Sequence, residues 1–204
     1  YEILRRLVVS EMCIRDSSGY VRKTGHESVV LGLSGGLDSA LVATLAAIAL
    51  GPEAVHGICM PSRYSSSGSL DDARDLAARL GMVHLHEIGI EPIHEALRQS
   101  LQPALGEVGG VTDENLQARA RGVLVMGLAN AQGLLPLATG NKSELAVGYS
   151  TLYGDMCGAL LPLGDVFKSK CYELAVHINR NPQRFGFDEP PLPESTITKP
   201  PSVS

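Results

Sequence analysis

Six consecutive residues, Ser34-Gly35-Gly36-Leu37-Asp38-Ser39, carry the strongest chemical signal in this 204-residue chain. Glycines let a backbone approach an anion closely, and N–H groups at a helix start point at it with the helix dipole behind them. Ser34 and Ser39 add hydroxyl donors. Asp38 would repel a bare phosphate, so the string asks for a Mg²⁺ ion between the carboxylate and the phosphates. No Gly-Lys-Ser/Thr follows, so this is not a Walker A loop, and no GxGxxG is present. A plain Gly-rich turn before a helix-capping Asp is the ordinary reading of an isolated Gly-Gly. The full string, set between a strand-like run and a helical one, is far more specific.

Two other polar loops follow strand-like runs: Met60-Pro61-Ser62-Arg63-Tyr64-Ser65-Ser66-Ser67-Gly68 and Thr139-Gly140-Asn141-Lys142-Ser143-Glu144. In an open parallel sheet, ligands bind beyond the carboxyl ends of the strands, so the three loops should converge on one crevice. His84 and His86 share a strand face but have no third ligand at suitable spacing, and read as core or solvent-facing imidazoles. Cys13, Cys59, Cys157 and Cys171 form no CxxC pair and read as reduced thiols of a cytoplasmic protein.

The elements that must hold these loops alternate between strand and helix. Apolar runs at 28–33, 54–60, 83–90 and 134–139 are separated by helical patterns over 37–50, 69–80, 92–101 and a longer one from 112. Ser69 with Asp72 spells a capping box, and Thr112 reads as a helix cap. A last helix is expected from Lys168 to His177. The alternation predicts an α/β fold with a doubly wound parallel sheet. Pro182, Pro190, Pro191, Pro193, Pro200 and Pro201 predict a tail without regular structure. Residues 8–18 match poorly with Leu4-Arg5-Arg6 and Tyr20-Val21-Arg22-Lys23, which read as two pieces of one amphipathic helix. The expected organisation is a disturbed segment over 1–19, one domain over 20–180 and a tail over 181–204. The chain starts at Tyr1 and reads as a fragment.

Composition bounds the ligand. With 22 acidic against 17 basic residues the formal charge is −5, which argues against nucleic acid as a partner. Phosphate must then be held by local geometry rather than by overall field. No apolar run approaches the ~20 residues of a membrane span, and Leu7-Val8-Val9 is too short for a signal peptide.

The Ser34–Ser39 string resembles the pyrophosphate loop of the N-type ATP pyrophosphatases. The stretch from Ala138 to Asp155 closely resembles the signature of the NAD synthetases, as do Glu114–Arg121, Pro162–Lys168 and Lys199-Pro200-Pro201-Ser202. The string MPSRYSSSGSLDDA is most similar to the synthetase domain of the glutamine-dependent bacterial enzymes. The resemblance runs from Tyr20 to Ser202 and implies a Rossmann-like, adenine nucleotide alpha hydrolase-like three-layer sandwich.

That resemblance also implies a C–N bond-forming ligase using ATP and Mg²⁺. The carboxylate of nicotinic acid adenine dinucleotide would attack the α-phosphate, pyrophosphate would leave, and ammonia would convert the acyl-adenylate to NAD⁺ and AMP. A glutaminase domain absent from this sequence would supply the ammonia. By similarity, Gly32, Leu33, Ser34, Gly35, Gly36, Leu37, Asp38 and Ser39 would cradle pyrophosphate, and Asp38 with Glu144 would hold Mg²⁺. Thr139, Lys168 and Ser202 would contact ATP phosphates, with Lys168 offsetting charge on the leaving group. Met60 and Arg63 would lie at the adenine and ribose. Asn115, Arg119 and Glu144 would bind the dinucleotide beside Tyr149, Leu152 and Asp155. Arg119 and Arg121, two apart, cannot both face the site, and family position selects Arg119. The family also implies a homodimer. A GMP synthetase-like amidotransferase and a nucleotide-binding fragment without turnover are the competing readings.

Overall fold

Four short strands pair in parallel, the two middle ones apolar and buried. The computed structural model describes residues 2–65 and 67–199. The strands are β1 (Val29–Gly32), β2 (Val55–Cys59), β3 (His84–Glu87) and β4 (Leu135–Pro136), in the order β3-β2-β1-β4. Val29 pairs with Val55 on one side and Leu135 on the other, so the winding reverses at β1. Such a reversal opens a crevice beyond the strand ends, and the loops after β1 and β4 leave from there.

Strand alternation divides two cores. Val29, Leu31 and Leu33 belong to the larger one, with Val21 of α1 (Glu2–Lys23), Leu41 and Leu45 of α2 (Leu37–Leu50), Leu76 of α3 (Ser67–Leu80) and Ile178 of α7 (Lys168–Arg180). Val30 and Ile58 pack with Val125 and Ala129 of α5 (Gly110–Gln132). Helix α4 (Glu91–Leu105) packs on α5. The result is the doubly wound three-layer α/β sandwich expected from the alternation. Helix α2 is buried nearly all round from Leu37 to Ala47, as its alanine-rich apolar sequence requires.

Several boundaries differ from the sequence reading. Helix α3 begins at Ser67, so Ser69 lies inside it. Instead of capping, Asp72 accepts from Ser195 Oγ at 2.7 Å and pairs with Lys199 at 3.5 Å. Helix α5 begins at Gly110 with extended Gly109 at its cap, which leaves Thr112 within the first turn. The proline-rich segment is not devoid of regular structure. Pro182 opens a 3₁₀ turn and Pro193 sits at the cap of α8 (Glu194–Thr198), positions where a missing N–H costs nothing. Residues 8–18 do not interrupt α1, and Cys13, Ile14, Ser17 and Val21 meet the core at helical spacing. Pro136 fits because β4 is an edge strand.

Candidate active site

The loop after β1 is closed by its own serines. Ser34 N–H donates to Ser39 Oγ at 3.3 Å, Ser39 Oγ–H to the Gly36 carbonyl at 3.0 Å, and Gly36 N–H to Ser34 Oγ at 3.2 Å. These hydroxyls, expected as donors to phosphate, hold the loop in shape. Gly35 has φ +75, and a methyl there would stand 2.4 Å from the Ser69 carbonyl, so the loop is pressed against α3. Among the described residues no side chain caps α2. Its first N–H groups therefore remain available to an anion at the positive end of the helix dipole. Met60 closes another wall: a methyl at Gly32 would lie 3.1 Å from its Cε.

Asp38 stands in the first turn of α2, with its side chain 14% exposed. Its Oδ2 accepts from the Lys168 ammonium and from Asn141 Nδ2 at 3.3 Å. Its Oδ1 is buried and has no hydrogen-bond partner among the described residues. Lys168 opens α7, and its backbone N–H donates to Ser143 Oγ at 3.0 Å. Burial alone would lower the Lys168 ammonium. The Asp38 hydrogen bond and charge, with Glu144 and Tyr172 adding, outweigh that and raise it.

Asn141 joins the two loops and was not singled out by sequence. It is fully buried at the cap of α6 (Lys142–Val147). Its Oδ1 accepts the Ser143 and Glu144 N–H groups at 2.9 and 3.2 Å, and Glu144 Oε2 accepts the Asn141 N–H at 3.0 Å. The signal that could have found it is the Asn-x-x-Glu spelling of a capping box. Burial pushes the Glu144 carboxyl up, with Asp38's charge adding, against the Asn141 N–H and Lys168.

These residues fit a divalent cation. A buried, unpartnered carboxylate oxygen and a second carboxylate nearby face a single lysine. No group of three or more His, Cys, Asp or Glu could hold a metal among the described residues. Two carboxylates are nonetheless what Mg²⁺ takes when phosphates and waters supply the other ligands.

The remaining candidates form a second cluster along α5. Asn115 Oδ1 accepts from Thr151 Oγ1 at 2.6 Å, and Asp155 Oδ1 accepts the Thr151 N–H at 2.9 Å. Arg119 is exposed and donates to the Leu152 carbonyl at 3.3 Å. Arg121, which the sequence reading set aside, is half-buried and donates to the Met60 carbonyl at 3.3 Å. The two arginines thus reach different loops. Tyr149 and Leu152 are exposed. Arg63 is turned toward α4, where Glu91 takes its guanidinium at 2.6 and 2.8 Å and its backbone N–H at 2.8 Å. Thr139 is half-buried just before α6. Ser202 lies outside the described residues.

The NAD synthase family model matches residues 9–204. The glutamine-dependent NAD(+) synthetase of Rhodobacter capsulatus is 49% identical over 189 residues, covering 90% of this chain and 34% of that protein. A structure of glutamine-dependent NAD+ synthetase from Acinetobacter baumannii in complex with adenosine diphosphate superposes with a TM-score of 0.90. It is 42% identical and covers 97% of this chain and 36% of that one. The NH3-dependent NAD synthetase from Campylobacter jejuni, in complex with the nitrate ion, gives 0.79 at 35% identity, covering 88% and 76%. The chain therefore spans about a third of the length of the curated relatives it matches.

Proposed function

This chain belongs to the NAD synthase family, and from that premise we propose that its crevice carries out the ATP-dependent amidation of nicotinic acid adenine dinucleotide. The observation that carries the reading is the joint of Asp38, Lys168 and Asn141 beside the uncapped start of α2. ATP would lay its β- and γ-phosphates on the N–H groups from Leu37 to Ser39, with Thr139 and Lys168 on the other side. Asp38 and Glu144 would hold Mg²⁺, which supplies charge neutralisation on the phosphates when bound.

The dinucleotide carboxylate would attack the α-phosphorus as the bond to pyrophosphate breaks. An ammonium has three donors and Asp38 takes one, so Lys168 can meet charge growing on the leaving oxygens. Asn115, Arg119, Tyr149, Leu152 and Asp155 would orient the adenylylated dinucleotide, whose acyl carbonyl takes ammonia, free or glutamine-derived, as AMP leaves. Met60 and Arg63 would border the adenosine of ATP. That role requires Arg63 to exchange Glu91 for the nucleotide.

A cytoplasmic setting is supported by the four free thiols, which a reducing compartment maintains. Exposed Val147, Tyr149, Leu152 and Tyr153 support a homodimer, which light scattering on the purified protein tests. The reaction itself is tested by incubating the chain with the deamido dinucleotide, ATP, Mg²⁺ and ammonium. NAD⁺, AMP and pyrophosphate are expected in equal amounts; ADP in place of AMP would overturn the reading. ATP binding without NAD⁺ would leave a nucleotide-binding module.

A further inference from the structure

We propose that Asn141 is a positioning residue for the cation: its carboxamide pins the Asp38 carboxylate in the orientation that leaves Oδ1 free to bind metal. The inference rests on the reading of Asp38 as a Mg²⁺ ligand and supplies the group that makes it one.

Asparagine is seldom fully buried, and this one has no exposed surface. Its carboxamide oxygen already accepts two backbone N–H groups of α6, at 2.9 and 3.2 Å. That fixes which end is oxygen and which is nitrogen, so Nδ2 must face Asp38 Oδ2. Lys168 binds the same Oδ2. Two donors on one oxygen leave the other, Oδ1, buried and unpaired. A buried carboxylate oxygen persists that way only where another group is meant to satisfy it.

The neutral amide suits this task. Without it, Asp38 is free to turn about its Cβ–Cγ bond and offer both oxygens to the neighbouring ammonium. The lysine would then hold the carboxylate that the cation needs. An aspartate at 141 would repel Asp38, and a lysine there would add a second competitor for it. The same turn of α6 also places Lys168, because Ser143 Oγ accepts that residue's backbone N–H at 3.0 Å. One capped helix start therefore sets both members of the pair.

The test separates capping from donation. In Asn141→Ser the serine hydroxyl still caps α6 but is too short to reach Asp38. Mn²⁺ binding to the chain is measured by calorimetry with a non-hydrolysable α,β-methylene ATP. A loss of about 10- to 100-fold in Mn²⁺ affinity is expected, as for other groups that orient metal ligands. The thermal midpoint and the metal-free affinity for the analogue should stay near those of the unsubstituted chain. In an Asp38→Asn background the same substitution should add no further loss, since Asn141 acts through Asp38. Unchanged Mn²⁺ affinity in Asn141→Ser, or an equal loss in the Asp38→Asn background, overturns the proposal alone. Absence of Mn²⁺ binding to the unsubstituted chain overturns the metal reading of Asp38 and this proposal with it.

Discussion

Two residues of the crevice make opposite demands on their side chains, and both can be tested singly. Gly35 can carry none. Its φ of +75 costs an L-residue about 1–2 kcal/mol, and its missing Cβ would stand 2.4 Å from the Ser69 backbone oxygen, which cannot swing aside. Gly35→Ala should therefore lower the thermal midpoint by several degrees and abolish binding of an ATP analogue; wild-type binding with a shifted midpoint would show that the loop relaxes. Lys168 must keep its charge. Removing it leaves Asp38, largely shielded from solvent, without its cation. Lys168→Met should cut kcat by about 10²–10³-fold, the size typical of losing one donor to developing charge, while the KM for the dinucleotide moves little. Because the Asp38 hydrogen bond and charge raise the ammonium above its ordinary value, it stays protonated through neutral and mildly alkaline pH. The activity profile between about pH 7 and 9 should then show no descending limb that Lys168→Met removes.

At the scale of elements, the packing of α5 against the 149–157 loop turns on Gly122. A methyl there would lie 2.7 Å from the Tyr153 carbonyl and 3.0 Å from Cys157 Sγ. Alanine at a mid-helix position gains about 1 kcal/mol over glycine, whereas overpacking against backbone costs about 1–3 kcal/mol. The clash wins. Gly122→Ala should raise the KM for the dinucleotide several-fold without changing that for ATP, because the loop carrying Tyr149, Leu152 and Asp155 moves and the β1 loop does not. Equal effects on both constants would place the loop elsewhere in the mechanism. The central elements were legible in sequence because apolar runs bounded by glycine and proline report burial directly, as at Val29–Gly32 and Leu37–Leu50. Element starts were less so: Ser69 spells a cap, yet the helix begins at Ser67 and Asp72 serves α8 instead. Local spelling cannot see a partner 123 residues away. Nor does spelling show that Arg121 meets the backbone oxygen of Met60 on another strand's loop. The motif spells Asn141 but not its role, because its donation to Asp38 joins loops 103 residues apart.

Across the whole molecule, the response to acid depends on which of two opposed terms dominates. The chain carries −5 at pH 7, so acidification reduces self-repulsion and by itself favours the folded state. Glu144 and Asp155, whose carboxyls burial raises, push the same way, because the folded state then holds protons more tightly than the unfolded one. His56 acts against them. The sheet register places His56 opposite His84, with His86 two residues on. The His56 ring stacks on His84 at 4.0 Å and lies 6.1 Å from His86. Sequence showed only His84 and His86, since the third member comes from a neighbouring strand. Stacked faces do not converge nitrogens on one point, consistent with no metal cluster among the described residues. Burial first, and then the charges of His84 and His86, hold His56 below its ordinary value. The unfolded chain therefore binds the proton more readily, and the stability from neutral His56 is complete above about pH 6.5 and is lost as pH falls below it. His84 is exposed, so His84→Gln removes one like charge without opening the core. Urea midpoints at about pH 8 and pH 5 should show the unsubstituted chain losing more stability on acidification than His84→Gln. Equal losses, or a gain in both, would mean that the falling net charge governs the acid response and the stacked imidazoles do not.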